Sequence, residues 1–137
     1  MFSHVTVGVS DLDRAASFYD AVLAPLGLVQ RPVMPDGGPL SRCWHQPGVS
    51  LPRFYAYLPF DGQPCSHGNG GMVAFLAPSV EAVEHAYAEG MRHGGTDDGA
   101  PGPRAHYGRD YYGAYLRDPD GNKVHVVHRH EPFAGER

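Results

Sequence analysis

A pattern that recurs in the two halves of the chain constrains its fold more than any other feature. Displaced along itself by 68 positions, the sequence brings His4-Val5-Thr6-Val7-Gly8-Val9 onto Met72-Val73-Ala74-Phe75-Leu76-Ala77. Further on, Leu12 meets Val80, Ala15 meets Val83, Tyr19 meets Tyr87, Leu23 meets Met91 and Gly27 meets Gly95. The first copy opens on residues that alternate in character, the period of a half-buried strand. Both then pass into a segment whose apolar side chains share one helical face. Ser10 or Asp11 in the first copy and Ser79 in the second can cap that helix through a side-chain oxygen. Gly27 and Gly94-Gly95 end it. Equivalent positions of such a duplication can converge on one pocket, so the residues there carry the chemistry.

The remaining segments complete each copy. Leu28 to Val33, Ser41 to His45 and Phe54 to Leu58 read as strands, with Pro32 marking an edge. The stretch Pro59 to Gly71, rich in Gly, Pro, Asp and Ser, reads as a connection. After it come a strand over Met72 to Ala77, the second helix, a loop over Gly99 to Gly108, and strands over Tyr111 to Leu116 and Lys123 to His128. The turn Asp118-Pro119-Asp120-Gly121 joins the last two, and the tail after Glu131 is expected to fray. The expected architecture is α+β: one domain over residues 1–137, made of two βαβββ modules at about 3–59 and 72–130. Their curled mixed sheets surround a cup, with helices on the opposite faces. Alternation sends Val5, Val7 and Val9 toward a helix and His4, Thr6 and Gly8 into the cup. Met72, Ala74 and His125 likewise face the cup, whereas Val124 and Val126 face the core.

Composition removes several classes of function. The chain is 42% hydrophobic and 11% aromatic, enough to bury a core rather than stay disordered. Its net charge is -4 with no Lys/Arg cluster, which argues against a nucleic-acid partner. No apolar stretch reaches membrane-spanning length, and Met1-Phe2-Ser3-His4 lacks the basic start of a signal peptide. Cys43 and Cys65 do not make a disulfide framework. Two reduced thiols in a cytoplasmic protein are the expectation. There is no Gly-rich phosphate loop, no Ser-His-Asp arrangement that the fold would assemble and no zinc-type cysteine spacing.

Two motifs resemble the vicinal oxygen chelate superfamily, which includes glyoxalase I, extradiol dioxygenases, fosfomycin-resistance enzymes and bleomycin-resistance proteins. They are His4-Val-Thr-Val-Gly-Val-Ser-Asp-Leu-Asp-Arg through Phe18-Tyr19, and Tyr112-Gly-Ala-Tyr-Leu-Arg-Asp-Pro-Asp-Gly-Asn-Lys-Val124. With the duplication, the resemblance spans His4 to about His130. It implies a metal site built from a histidine on the first strand, a histidine opening the fifth and a glutamate on the last. Those places hold His4, Met72 and His125. The 68-residue repeat also sets Tyr57 opposite His125.

These residues leave two functions open. In the first, His4 and His125 hold one divalent ion (Zn, Fe, Mn or Ni) for a glyoxalase-type lyase or a dioxygenase, with His125 as a candidate acid or base. A thioether at Met72 suits such ions poorly, and an imidazole in place of the carboxylate leaves the ion's charge less compensated. In the second, no metal is bound and the cup sequesters a small molecule, as bleomycin-resistance proteins do. Tyr57, Met72, Arg109, Tyr111 and Tyr112 would line its pocket, with Trp44 available for stacking. His67 and His106 are loop histidines that could supplement either site, while His45, His85, His93 and His128 read as structural or exposed. A homodimer is expected. If its modules swap, His4 of one chain faces Met72 and His125 of the other.

Overall fold

The computed structural model describes residues 1–130. The expected frayed tail lies outside the described residues. The first half runs β1 (His4–Gly8), α1 (Leu12–Leu23), a 3-10 turn at Ala24–Leu26, β2 (Val29–Arg31), β3 (Ser41–His45) and β4 (Arg53–Tyr57). The second runs β5 (Val73–Leu76), α2 (Val80–Arg92), β6 (Thr96–Pro103), a 3-10 turn at Ala105–Tyr107, β7 (Tyr112–Arg117) and β8 (Lys123–His128). Each half forms a four-stranded mixed sheet, ordered β1-β4-β3-β2 and β5-β8-β7-β6. In each, the first strand pairs parallel with the last and the others pair antiparallel.

Local chemistry accounts for most boundaries. Asp11 rather than Ser10 caps α1, accepting from the Arg14 amide at 2.9 Å, and Ser79 caps α2 by accepting from the Ala82 amide. Gly27, with φ +84°, takes the left-handed conformation that ends the first helical segment. The expected loop at Gly99 to Gly108 is corrected: β6 is an edge strand running as far as Pro103. Its sequence Thr-Asp-Asp-Gly-Ala-Pro-Gly-Pro hides the strand period, and its register shifts between Asp97 and Gly99 and again before Gly102. An edge strand tolerates prolines because one side of its backbone needs no partner.

A continuous apolar core joins the helix-facing sides of both sheets. Val9, Phe18, Tyr19, Val22, Leu23, Trp44, Phe54 and Ala56 come from the first half, and Val83, Ala86, Ala114, Leu116, Val124 and Val126 from the second. The rings of Phe54 and Phe75 meet edge to face across the halves, 5.2 Å between centroids. The repeat fails at the core position of Leu23, which is buried while its equivalent Met91 is exposed. Gly90 is buried instead, and a Cβ there would lie 2.5 Å from Leu116 and 2.8 Å from Val22. The missing side chain lets α2 approach both α1 and β7.

A buried polar clasp also holds the halves together. The Asp118 carboxylate accepts from the Tyr19 hydroxyl at 2.7 Å and from the Asn122 side chain and amide. Asn122 donates in turn to the Gly8 carbonyl, while Asp120 accepts from Ser10 and pairs with Arg14. The Asp-Pro-Asp-Gly-Asn turn thereby fastens the second half to the end of β1 and the start of α1.

Candidate functional site

Strand register assigns the two faces of each sheet. Phe54, Ala56 and Trp44 enter the core, so their neighbours His4, Thr6, Gly8, Arg53, Tyr55, Tyr57, Cys43 and Arg31 share the opposite, concave face. In the second sheet Ala74, His125, Tyr115, Lys123 and Arg117 form the concave face. His4 and His125 therefore both stand on concave faces. The counterpart of His125 is Tyr55, however, because Ala74 pairs with His125 as Thr6 pairs with Tyr55. Pairing His125 with Tyr57 by a constant offset of 68 is corrected: the chain from β5 to β8 is two residues longer than the chain from β1 to β4, with Thr6 and Tyr55 49 positions apart and Ala74 and His125 51.

His125 is only 1% exposed. Its ring lies flat against Tyr115, with centroids 4.0 Å apart and planes 7° apart, and stacks more distantly on Tyr111. It fits because position 113 is glycine; a Cβ there would come 2.6 Å from the imidazole. Nδ1 is 2.9 Å from the Ala114 carbonyl and Nε2 is 2.7 Å from the Tyr111 hydroxyl. A carbonyl can only accept, so Nδ1 carries the proton and Nε2 accepts from Tyr111. Burial, more than any other cause, depresses the imidazole's pKa, and the positive charges of Arg104, Lys123 and Arg129 push the same way.

His4 is exposed, with Nδ1 3.0 Å from the Ser3 hydroxyl and its ring edge-on to Tyr55. Met72, 46% exposed, immediately precedes β5. It lines a cavity of about 320 Å³ with Thr6, Gly8, His67, Asn122 and Lys123, but neither His4 nor His125 lines that cavity. Tyr57 closes β4, and its carbonyl accepts from the Val9 amide. Arg109, Tyr111 and Tyr112 do come together, around a cavity of about 380 Å³ that also touches His128 and His130. The Tyr112 hydroxyl donates to Glu84, and His106 packs at a tilt against Tyr107, which in turn packs against Tyr111. Trp44 is buried, its indole N–H donating to Asp20, and takes part in the core rather than the concave face.

The donor set does not fit a divalent ion. Both nitrogens of His125 are committed to protein partners, Met72 offers a thioether, and the His4 ring contacts Ser3 and Tyr55 within the first half. Among the described residues no group of three or more His, Cys, Asp or Glu side chains is arranged to hold a metal. Sequence reasoning missed Tyr115, Tyr55 and Arg53, although two-residue alternation from Tyr57 places the last two on its face of the strand. It also missed Arg104, whose guanidinium lies 5.6 Å from the Tyr115 ring.

Two duplicated βαβββ halves with histidines on their concave faces define a glyoxalase-like fold. The chain belongs to the Glyoxalase/Bleomycin resistance protein/Dioxygenase superfamily, whose family model matches residues 1–126. Among solved structures it is similar to a glyoxalase/bleomycin resistance protein from Albidiferax ferrireducens T118, with 41% identity and a TM-score of 0.78 over 95% of this chain and 99% of that one. It shares its fold with a glyoxalase-related enzyme from Fulvimarina pelagi (18% identity, TM-score 0.68, 94% of this chain and 88% of that one). The same holds for a glyoxylase/bleomycin resistance protein/dioxygenase domain from Frankia sp. EAN1pec (14% identity, TM-score 0.70, 95% of this chain and 98% of that one). No curated protein matches the chain.

Proposed function

We propose that this chain is a small-molecule-binding member of the superfamily whose concave faces receive the ligand without a metal ion held by His4 and His125. The observation that carries this reading is the state of His125. In the place where the resemblance implies a metal-binding glutamate stands a buried imidazole, with one nitrogen protonated toward Ala114 and the other accepting from Tyr111. Binding a cation through Nε2 would require the Tyr111 hydroxyl to turn away, beside three positive side chains. The aromatic and cationic side chains on these faces suit a small organic ligand better than a bare ion.

Elemental analysis by plasma mass spectrometry tests the reading, on protein purified without chelator or metal-affinity tag. Metal well below stoichiometric is expected, both as purified and after zinc, iron, manganese or nickel is added and excess removed. Near-stoichiometric metal that disappears in the His4→Ala/His125→Ala double variant would replace this reading with the metal-dependent lyase or dioxygenase.

The working assembly is a homodimer. Among the described residues β1 and β5 each have an unpaired outer edge in their sheets, and Met72 and Leu76, 46% and 69% exposed, flank or lie on the second of these strands. Exposed apolar side chains beside an open strand edge favour pairing with another copy.

A further inference from the structure

The concave face of the first sheet carries positive charge that the described residues leave uncompensated. The chain has 15 acidic residues against 11 lysines and arginines, so carboxylates are in excess. Four other arginines and one lysine pair with carboxylates: Arg14 with Asp120, Arg42 with Asp13, Arg92 with Glu89, and Arg117 and Lys123 with Asp98. Arg31 and Arg53 have no carboxylate within ion-pair distance among the described residues. Cross-strand register puts them on the same concave face, Arg31 beside Cys43 and Arg53 beside His4. Both lie close enough to the buried Cys43 thiol to act on it electrostatically. Arg53 is held in place by neutral acceptors: the Ser50 carbonyl at 2.9 Å, the Ser50 hydroxyl at 3.0 Å and the Tyr55 hydroxyl at 3.4 Å.

We propose that Arg31 and Arg53, with Tyr55 between β1 and β3 and His4 at its edge, form a site for the oxyanion of a small organic acid. This rests on the reading of the concave faces as ligand-binding and names the ligand's chemical class. A half-buried guanidinium with no counter-charge bears a desolvation cost that nothing offsets. An incoming carboxylate or phosphate removes that cost, and a guanidinium fork matches either anion in two-point geometry. The Arg53 guanidinium is already positioned by Ser50 and Tyr55, so little side-chain freedom remains to be lost on binding. Tyr55 and His4, in edge-to-face contact at 5.7 Å, offer a hydroxyl and an imidazole beside the anion and an aromatic surface for the rest of the ligand. Neither arginine is needed for the core or for the clasp between the halves.

Titration calorimetry with benzoate, inorganic phosphate and the neutral isostere benzamide tests the site. Benzoate or phosphate is expected to bind and benzamide not to, and the tighter of the two anions identifies a carboxylate or a phosphate ligand. Arg31→Gln and Arg53→Gln should each weaken the anion by roughly tenfold or more, the worth of a charge-assisted hydrogen bond. Arg53→Lys should recover part of the loss, and Arg92→Gln, on the surface of α2, should change nothing. Thermal melts of each variant separate loss of binding from loss of fold. Benzamide binding as tightly as benzoate, no anion binding, or unaltered affinity in both glutamine variants of the arginines would overturn the proposal. A neutral compound that binds the concave face while anions do not would sink this inference and leave the small-molecule reading standing. Stoichiometric metal at His4 and His125 would instead sink that reading.

Discussion

The Tyr19 hydroxyl donates to the Asp118 carboxylate at 2.7 Å, joining the middle of the first helix to the last turn of the chain across 99 residues of sequence. Both groups are buried, and burial together with Asp118 pushes the tyrosine pKa well above its ordinary value. The phenol therefore stays a neutral donor. Tyr19→Phe should lower unfolding stability by roughly 2 kcal/mol, the cost of removing one hydrogen bond to a buried charge. Asp118→Ala should cost more, because the phenol and the Asn122 and Asp120 donors lose their acceptor together. Urea denaturation of both variants checks the order. Equal stability of wild type and Tyr19→Phe would show that the clasp contributes nothing net.

Helix packing gives a second prediction. Gly90→Ala forces a methyl group into Leu116 and Val22 and should destabilise the fold by about 1–3 kcal/mol, the usual cost of overpacking. The ordinary helix-propensity gain of replacing glycine, close to 1 kcal/mol, works against this and is the smaller effect. A rise in Tm for Gly90→Ala would mean that the two helices have room to separate.

His125 makes the fold sensitive to acid. Its folded-state pKa is depressed, so the unfolded chain takes up a proton at this position more readily than the folded one. The stability tied to the neutral ring is present above the ordinary histidine pKa and is lost as pH falls below it. His125→Gln should be less stable at neutral pH, through loss of the Tyr115 stack, yet should show a shallower fall in stability between neutral and mildly acidic pH. Parallel slopes for wild type and variant would place the acid sensitivity elsewhere. Nitrogen-15 spectra of the ring should show the Nδ1-protonated neutral tautomer, and Tyr111→Phe should shift the Nε2 resonance.

The homodimer is testable at one side chain. Leu76→Lys on the exposed strand β5 should move the protein toward the monomer in sedimentation, with the far-ultraviolet circular dichroism unchanged. An unaltered sedimentation coefficient would put the interface on another surface.

Much of this fold is written in periodicity. Strand alternation over His4 to Val9 and helical spacing from Leu12 to Leu23 are local signals, and the duplication supports each through its counterpart. β6 escaped notice because Gly and Pro, which ordinarily mark loops, are tolerated on an edge strand with shifted register. The candidate site was less legible. Alternation sent His125 to the concave face, but facing away from the core is not the same as being open. Its burial depends on Gly113 leaving space across the ladder and on Tyr111 and Tyr115 closing over it, contacts made by a neighbouring strand. Arg31 and Arg53 carry no signal in the sequence for a related reason: the lack of a counter-ion is a property of three-dimensional neighbours, not of spacing along the chain.

The strand order has a further consequence. Because β1 pairs with β4 and β5 with β8, every hydrogen-bonded strand pair lies within one half. A backbone break in the stretch between Phe60 and Gly71 would sever no ladder. Among the described residues the halves are united by the shared apolar core with its Phe54–Phe75 contact, the helix seam at Gly90, and the polar clasp, in which the Asn122 and Asp120 side chains reach the Gly8 carbonyl and the Ser10 amide. Two separately expressed fragments should thus be able to find each other and rebuild the whole, and exchanging halves between chains requires no strand pair to be unzipped.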